Sequence, residues 1–372
     1  MEKILLTTLD FWPNKGGVAN YYYNLAKNLP TSRLSILTCS KKVESNLKIH
    51  NKNLLYKFFW PKWLKEFFEV VYYVKYEKAK ILWAGEILPT GTVLYLINKI
   101  FKIPYFVSTH GLDIMNTKKS FVKKYLTKKI LNNAKFVTAN SEYTKELLSE
   151  IVNDKDRIKI IYPGVNLEFK NIDENLKEIT KKEYNLKNRK IVLTVGRVIK
   201  RKNQEAVINI IKSLKTEIPE ILYIIIGNGD DLKHLKSLVK LYNLENNVMF
   251  LNNIENEMLP YFYNLCDIFI MISKTSKDDV EGFGIVYLEA GLFKKPVIAS
   301  SNGGAKEAVL DKKTGLLIDE NDSEKLEQYI RKLLLDDNFA KELGENAYIR
   351  IKEEFLWKNI SQKLIKYIEG TE

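Results

Sequence analysis

The stretch DDVEGFGIVYLEAGLFKKPV, Asp278–Val297, places two carboxylates eight positions apart. Glu281 precedes a Gly-Phe-Gly turn, and Glu289 lies inside the apolar run that follows. A glycine-bounded turn leading into an apolar run reads as a loop that opens a helix. The free N–H groups at such a helix start attract an anion. Glu289 then stands about 7–8 Å along the helix axis from Gly284, at ~1.5 Å per residue. After the helix, PVIAS reads as a buried strand.

Working outward, the same rhythm fills the chain. Apolar runs KILLTT, LSILTC, AKILWA, PYFVSTH, AKFVTAN and IKIIYPG alternate with helix-length periodic segments in the first half. KIVLTVG, LYIIIG, VMFLN, IFIMIS, PVIAS and TGLLI do so in the second. Near-continuously apolar strands alternating with helices predict parallel sheets covered on both faces. Two such series in 372 residues predict two α/β domains. The polar stretch between them reads as a linker, which sets the expected boundaries at residues 1–165, 166–185 and 186–352, with a closing helix over 353–372.

Composition narrows the classes. Two cysteines far apart, Cys39 and Cys266, give no disulfide framework and point to a reducing cytosol. MEKILLTTLDF lacks a basic head and a full apolar core, so it reads as a first strand and not as a signal peptide. No run reaches the ~20 apolar residues that a membrane span needs. The charge is one-sided: 28 Lys and Arg stand against 14 Asp and Glu over residues 1–170, and 31 against 32 over the rest. Such an excess suits an anionic partner surface, a membrane leaflet or a nucleic acid, or simply a solvated lysine-rich face. No nucleic-acid-binding signature accompanies it, and the phosphate-binding motifs lie in the neutral half.

In open parallel sheets ligands bind outside the carboxyl ends of the strands. Gly16 and Gly17 follow the first strand and open a helix. His110 and Asp113 follow PYFVST directly, which makes His110 the candidate histidine for catalysis or sugar binding. Arg197 and Lys202 follow KIVLTVG and can neutralise a diphosphate without a metal, with Lys200 and Arg201 as competitors. IIIGNGDD has Gly227 and Gly229, but Leu232 stands where the third glycine of a dinucleotide fingerprint belongs. A dehydrogenase is therefore disfavoured. Two carboxylates, Glu281 and Glu289, bracketing an anion site fit a ligand with a polyol at each end of a diphosphate, that is, a nucleotide-sugar. A metal site is the other use for such a pair, but the neighbouring acids lack His partners and the basic residues make a metal unnecessary.

EGFGIVYLEA with its spaced glutamates resembles the retaining glycosyltransferases of family four. So, in order, do Gly16-Gly17, THGLD, NSEYTKELL, YPGVN, VGRVIKRKN, IGNGDD, SNGGAKEAV, TGLLID and the closing FLWKNISQKLIKYI. The resemblance implies the GT-B architecture: two Rossmann-like domains facing a central cleft, with a last helix crossing back to the first. It implies that Arg197, Lys202, the Gly16-Gly17 turn and the backbone of Phe283, Gly284 and Ile285 meet the donor diphosphate. Glu289 would bind ribose, the base would lie against Asn253 and Ile254, and Asp113 would serve the acceptor or sugar side. His110 and Glu281 would work at the transferred sugar, with no metal or other cofactor. Two departures stand out. Lys306 replaces a frequent proline, and the loop SKTSKDDVEGFG is longer than usual. The longer loop is similar to the branch of phosphatidylinositol mannosyltransferases, which implies GDP-mannose as the favoured donor, UDP-sugars as the alternative, and a lipid or lipid-linked acceptor. A sugar-nucleotide epimerase of the same architecture, or a transferase acting on a soluble saccharide, is the competing reading.

An enzyme acting on such an acceptor needs a membrane surface. Trp60 and Trp63 flank Pro61 in a segment rich in Phe and Lys, and Lys123, Lys124, Lys128 and Lys129 form a second basic cluster beside Phe121 and Tyr125. Mixed aromatic and basic residues suit a headgroup region. The expected place is the cytoplasmic, inner face of the cell membrane, peripherally bound.

Overall fold

The computed structural model describes residues 2–14, 16–41, 45–117, 120–275 and 281–371. The chain divides into two compact units, Met1–Gly164 together with Trp357–Glu372, and Val165–Leu356.

Among the described residues the first unit holds seven strands: β1 Ile4–Thr8, β2 Leu34–Thr38, β3 Lys48–Asn51, β4 Ile81–Ala84, β5 Tyr105–Thr109, β6 Val137–Ala139 and β7 Ile158–Ile160. They form one sheet in the order β3-β2-β1-β4-β5-β6-β7. Every pairing is parallel. Five of them are buried at every position, which is why they read as unbroken apolar runs. Strand β3 escapes that signal because it lies at the edge, half exposed, with the polar sequence KIHN. Leu6 pairs with Ile36 on one side and Trp83 on the other. The order of strands therefore reverses between β1 and β4.

The last helix, Trp357–Glu369, packs within this unit. Trp357 is buried edge-on to Tyr21, with ring centres 5.6 Å apart. Arg33 pairs with Glu369 at 2.7 Å, and Lys135 Nζ donates to the Ile368 carbonyl at 2.6 Å.

The second unit holds β8 Lys190–Val195, β9 Ile221–Ile226, β10 Val248–Leu251, β11 Ile268–Met271, β12 Val297–Ser300 and β13 Leu316–Ile318. Their order is β10-β9-β8-β11-β12-β13, again all parallel, with the reversal between β8 and β11. Its core packs Val192, Ile225 and Ile270 from the strands against Ile208, Ile211, Ile330 and Leu333 from the covering helices.

The stretch read as a linker is not one. Residues 166–185 carry a short turn of helix, Leu167–Lys170, and the helix Glu174–Glu183, and both belong to the second unit. That helix is capped by Asp173, whose carboxylate accepts from the Asn175 and Leu176 amides. It buries only Thr180, so its sequence is polar almost throughout and resembles a linker.

Candidate active site

The ends of β8 and β11 flank the reversal of strand order in the second sheet, the position at which open parallel sheets bind ligands. The loop after β8 runs through Gly196 to Lys202, and the loop after β11 leads to Glu281. A buried ion cluster joins them. Lys202 Nζ lies 2.5 Å from Glu281 Oε2, Arg201 Nη1 lies 2.9 Å from the same oxygen, and Ser273 Oγ donates to it at 3.3 Å. The three charged side chains are only 10–14% exposed. Burial alone pushes the Glu281 carboxyl up, but Lys202 and then Arg201 outweigh it and hold the group at about 2. Burial pushes the Lys202 ammonium down, and Glu281 opposes this. A carboxylate held that firmly ionised by two cations is a weak nucleophile and a poor general base.

The turn after Glu281 is fixed from two sides. Gly284 has φ +84° and precedes the helix Ile285–Leu292. A Cβ there would fall 2.3 Å from the Tyr287 ring, whose hydroxyl donates to the Met271 carbonyl at the end of β11. From the other side Gly304 N donates to the Glu281 carbonyl at 2.9 Å, and a Cβ on Gly304 would sit 2.0 Å from Gly282 O. Phe283 is buried beside Phe355, so its backbone is what faces outward. No acidic residue occupies the first turn of the helix, which leaves its positive end uncompensated by its own sequence. Glu289 lies further along, with Tyr263 donating its phenol to Oε2 at 2.7 Å. Burial raises the Glu289 carboxyl, and the Tyr263 bond opposes this.

Arg197 is exposed, and the guanidinium that reaches Glu281 belongs to Arg201. The charge of Arg197 is nevertheless felt at Lys202. Asn253 is exposed and Ile254 half-buried in the loop after β10. Gly227 and Gly229 are explained by packing: a Cβ on either would strike the carbonyl of Gly196 or Val198 at about 2 Å. The Asp278-Asp279 pair and the middle of the long loop, residues 276–280, lie outside the described residues. Among the described residues no group of three or more His, Cys, Asp or Glu is arranged to hold a metal ion.

In the first unit the corresponding reversal lies between β1 and β4. Gly16 precedes the helix Gly17–Asn28, and a Cβ on Gly17 would meet nothing within 4 Å. His110 follows β5. Its Nε2 lies 2.8 Å from the Tyr22 hydroxyl, which itself donates to Gly85 O at 2.5 Å. Burial lowers the imidazole to about 4, so the ring is neutral at ordinary pH. Asp113 accepts from the His110 and Ile114 amides through Oδ1, both at 3.0 Å, and burial raises it to about 6. Asp113 therefore holds the backbone of His110 in place.

Sequence reasoning passed over Glu86, which follows β4. Its carboxylate accepts from Leu9 N, Thr8 Oγ1 and Thr90 Oγ1, and burial raises it to about 7. The signal was present: Glu86 follows AKILWA as His110 follows PYFVST. Tyr22 and Tyr263 carried no comparable signal, because a tyrosine in a helix reads as core.

Comparison with known proteins gives the family and the fold. Residues 15–169 match the family described as Glycosyltransferase Family 4, and residues 175–350 match Glycosyl transferases group 1. A GDP-mannose-dependent alpha-(1-6)-phosphatidylinositol monomannoside mannosyltransferase of Mycolicibacterium smegmatis is 28% identical over 78% of this chain and 76% of its own. An uncharacterised glycosyltransferase of Methanocaldococcus jannaschii is 28% identical over 99% of this chain and 98% of its own. Among solved structures, Anabaena HepE in complex with UDP-glucose superposes with a TM-score of 0.82 at 20% identity, over the whole of both chains. The chain belongs to glycosyltransferase family four, has the two parallel-sheet units of the GT-B class, and is a hexosyltransferase.

Proposed function

We propose that this enzyme transfers a hexose, mannose from GDP-mannose in the first place, to a lipid or lipid-linked acceptor at an anionic membrane surface, with retention of anomeric configuration. The observation that carries the reading is the buried Lys202–Glu281–Arg201 cluster beside the uncompensated start of the helix Ile285–Leu292. When the C1–O bond to the diphosphate breaks, its electron pair stays on the departing phosphate. Cations and helix N–H groups already in place stabilise that charge without reorganising. The acceptor oxygen bonds to C1, and its proton passes to the leaving phosphate on the same face. Glu281 serves this step by holding the cations and the sugar hydroxyls. His110, neutral and bonded to Tyr22, is a polar contact for the sugar and not a proton carrier. The favoured donor rests on the name of the mycobacterial relative, and the Anabaena complex keeps UDP-sugars as the alternative.

The acceptor reading is supported by the surface of the first unit. Phe58 is fully exposed, Trp60 is 85% exposed, and Phe121 is 86% exposed. Phe68, Tyr72 and Tyr76 recur at helical spacing on the outer face of the helix Leu64–Glu77, whose inner face buries Val70 and Tyr73. Trp63 differs from its neighbour: it packs partly against the core and offers less surface. Lys123, Lys124, Lys128 and Lys129 are all exposed, beside exposed Val122 and Tyr125. Among the described residues no helix is long and apolar enough to cross a membrane. Lysines near an anionic leaflet contribute about 1 kcal/mol each, which suffices for reversible attachment.

Incubation with a panel of nucleotide-sugars, followed by nucleotide release, tests the donor. Glu281→Ala is expected to remove most turnover with nucleotide binding largely kept, and Arg197→Ala to weaken nucleoside diphosphate binding. Wild-type rates from Glu281→Ala on every accepted donor would refute its assignment. Chelator is expected to leave transfer unchanged, whereas activity lost to EDTA and restored by Mg²⁺ or Mn²⁺ contradicts the metal-free reading. In co-sedimentation with liposomes, binding is expected to rise with anionic lipid, fall with salt, and weaken when Lys123, Lys124, Lys128 and Lys129 become Glu. Absence of binding at low salt favours a soluble saccharide acceptor.

A further inference from the structure

We infer that Tyr263 is a positioning residue for the donor ribose: it fixes one carboxylate oxygen of Glu289 and so presents the other to the ribose hydroxyls. The inference rests on the reading of Glu289 as the ribose-binding carboxylate.

Glu289 is attached to its helix through three rotatable bonds, and ordering such a side chain on binding costs affinity. A partner that orders it beforehand removes part of that cost. Among the described residues Tyr263 is its hydrogen-bond partner, donating to Oε2 at 2.7 Å. The phenol is itself immobile. Tyr263 is fully buried, its ring lies parallel to Phe293 at 8° with centres 6.0 Å apart, and the edge of Phe169 meets it at 5.9 Å. Phe269 closes a third side at 5.7 Å. Phe169 comes from the turn Leu167–Lys170, so the polar stretch before the second sheet supplies one wall of this clamp.

The protonation states suit the role. Burial, and then the charge of Glu289, push the Tyr263 phenol well above its ordinary range, so it remains an O–H donor. Its bond to Glu289 favours the ionised carboxylate, the form that can accept from two ribose hydroxyls. A purely structural tyrosine would need neither the hydroxyl nor this target, because the ring alone fills the space between Phe169, Phe269 and Phe293.

The test is calorimetric titration of GDP and 2′-deoxy-GDP into the wild-type enzyme, Tyr263→Phe and Glu289→Gln, with steady-state kinetics alongside. The wild-type enzyme is expected to prefer the ribonucleotide. Tyr263→Phe is expected to weaken GDP binding roughly tenfold, the effect of losing one hydrogen bond to a charged group. It should narrow the ribo-to-deoxy ratio and raise the donor KM while kcat at saturation holds. The ratio compares two ligands on one preparation, so partial loss of folded protein does not change it. If Glu289→Gln abolishes the ratio and Tyr263→Phe keeps it whole, Tyr263 is packing alone and the inference is overturned. If Glu289→Gln keeps the ratio, Glu289 does not read ribose, and both the assignment and the inference built on it fall.

Discussion

A lysine ammonium and a glutamate carboxylate, both nearly out of water and 2.5 Å apart, tie together the loops that leave the middle of the second sheet. Taking each charge out of water costs several kcal/mol, and only a close partner offsets that. Lys202 and Glu281 each exist as ions here because the other does, with Arg201 and Ser273 completing the shell of Glu281. In the proposed reading a diphosphate would bring further acceptor oxygens to cations that a single carboxylate now holds.

The parallel sheet explains why the pair sits where it does. Strands β8 and β11 are neighbours, yet the chain goes to β9 after the first and to β12 after the second. In open parallel sheets ligands bind at such a reversal of strand order, outside the carboxyl ends of the strands. Backbone contact then sets the loop shapes: Gly304 against Gly282, and Gly227 and Gly229 against the turn after β8. The first unit repeats the scheme between β1 and β4 with a different cast, Glu86, Tyr22, His110 and Asp113. This set holds carboxylates and a neutral imidazole and no cation, which suits a polyol partner more than a phosphate.

Much of this was legible in the residues. Twelve of the thirteen strands among the described residues announce themselves as apolar runs, because a strand covered on both faces has no polar side to display. The exception, β3, is an exposed edge. The candidate residues drew attention for a related reason: polar residues in the loops that leave apolar strands have few structural uses, so Glu281, Lys202 and His110 stand out. The pairing of Arg201 with Glu281 was not legible, because spacing alone does not show which side chain in the Arg197–Lys202 stretch turns toward that carboxylate. The stretch 166–185 was misread because a helix that buries a single threonine has the composition of a linker.

The central claim is that the cations gathered by Glu281 seat the donor diphosphate. The direct measurement is the affinity advantage of GDP over guanosine in the wild-type enzyme and in the double variant Lys202→Met/Glu281→Gln, which removes both charges and leaves neither buried alone. The account predicts that this advantage falls by roughly tenfold or more in the double variant, as expected when charge-assisted contacts to phosphate are lost. A double variant that folds and keeps the wild-type advantage would contradict it.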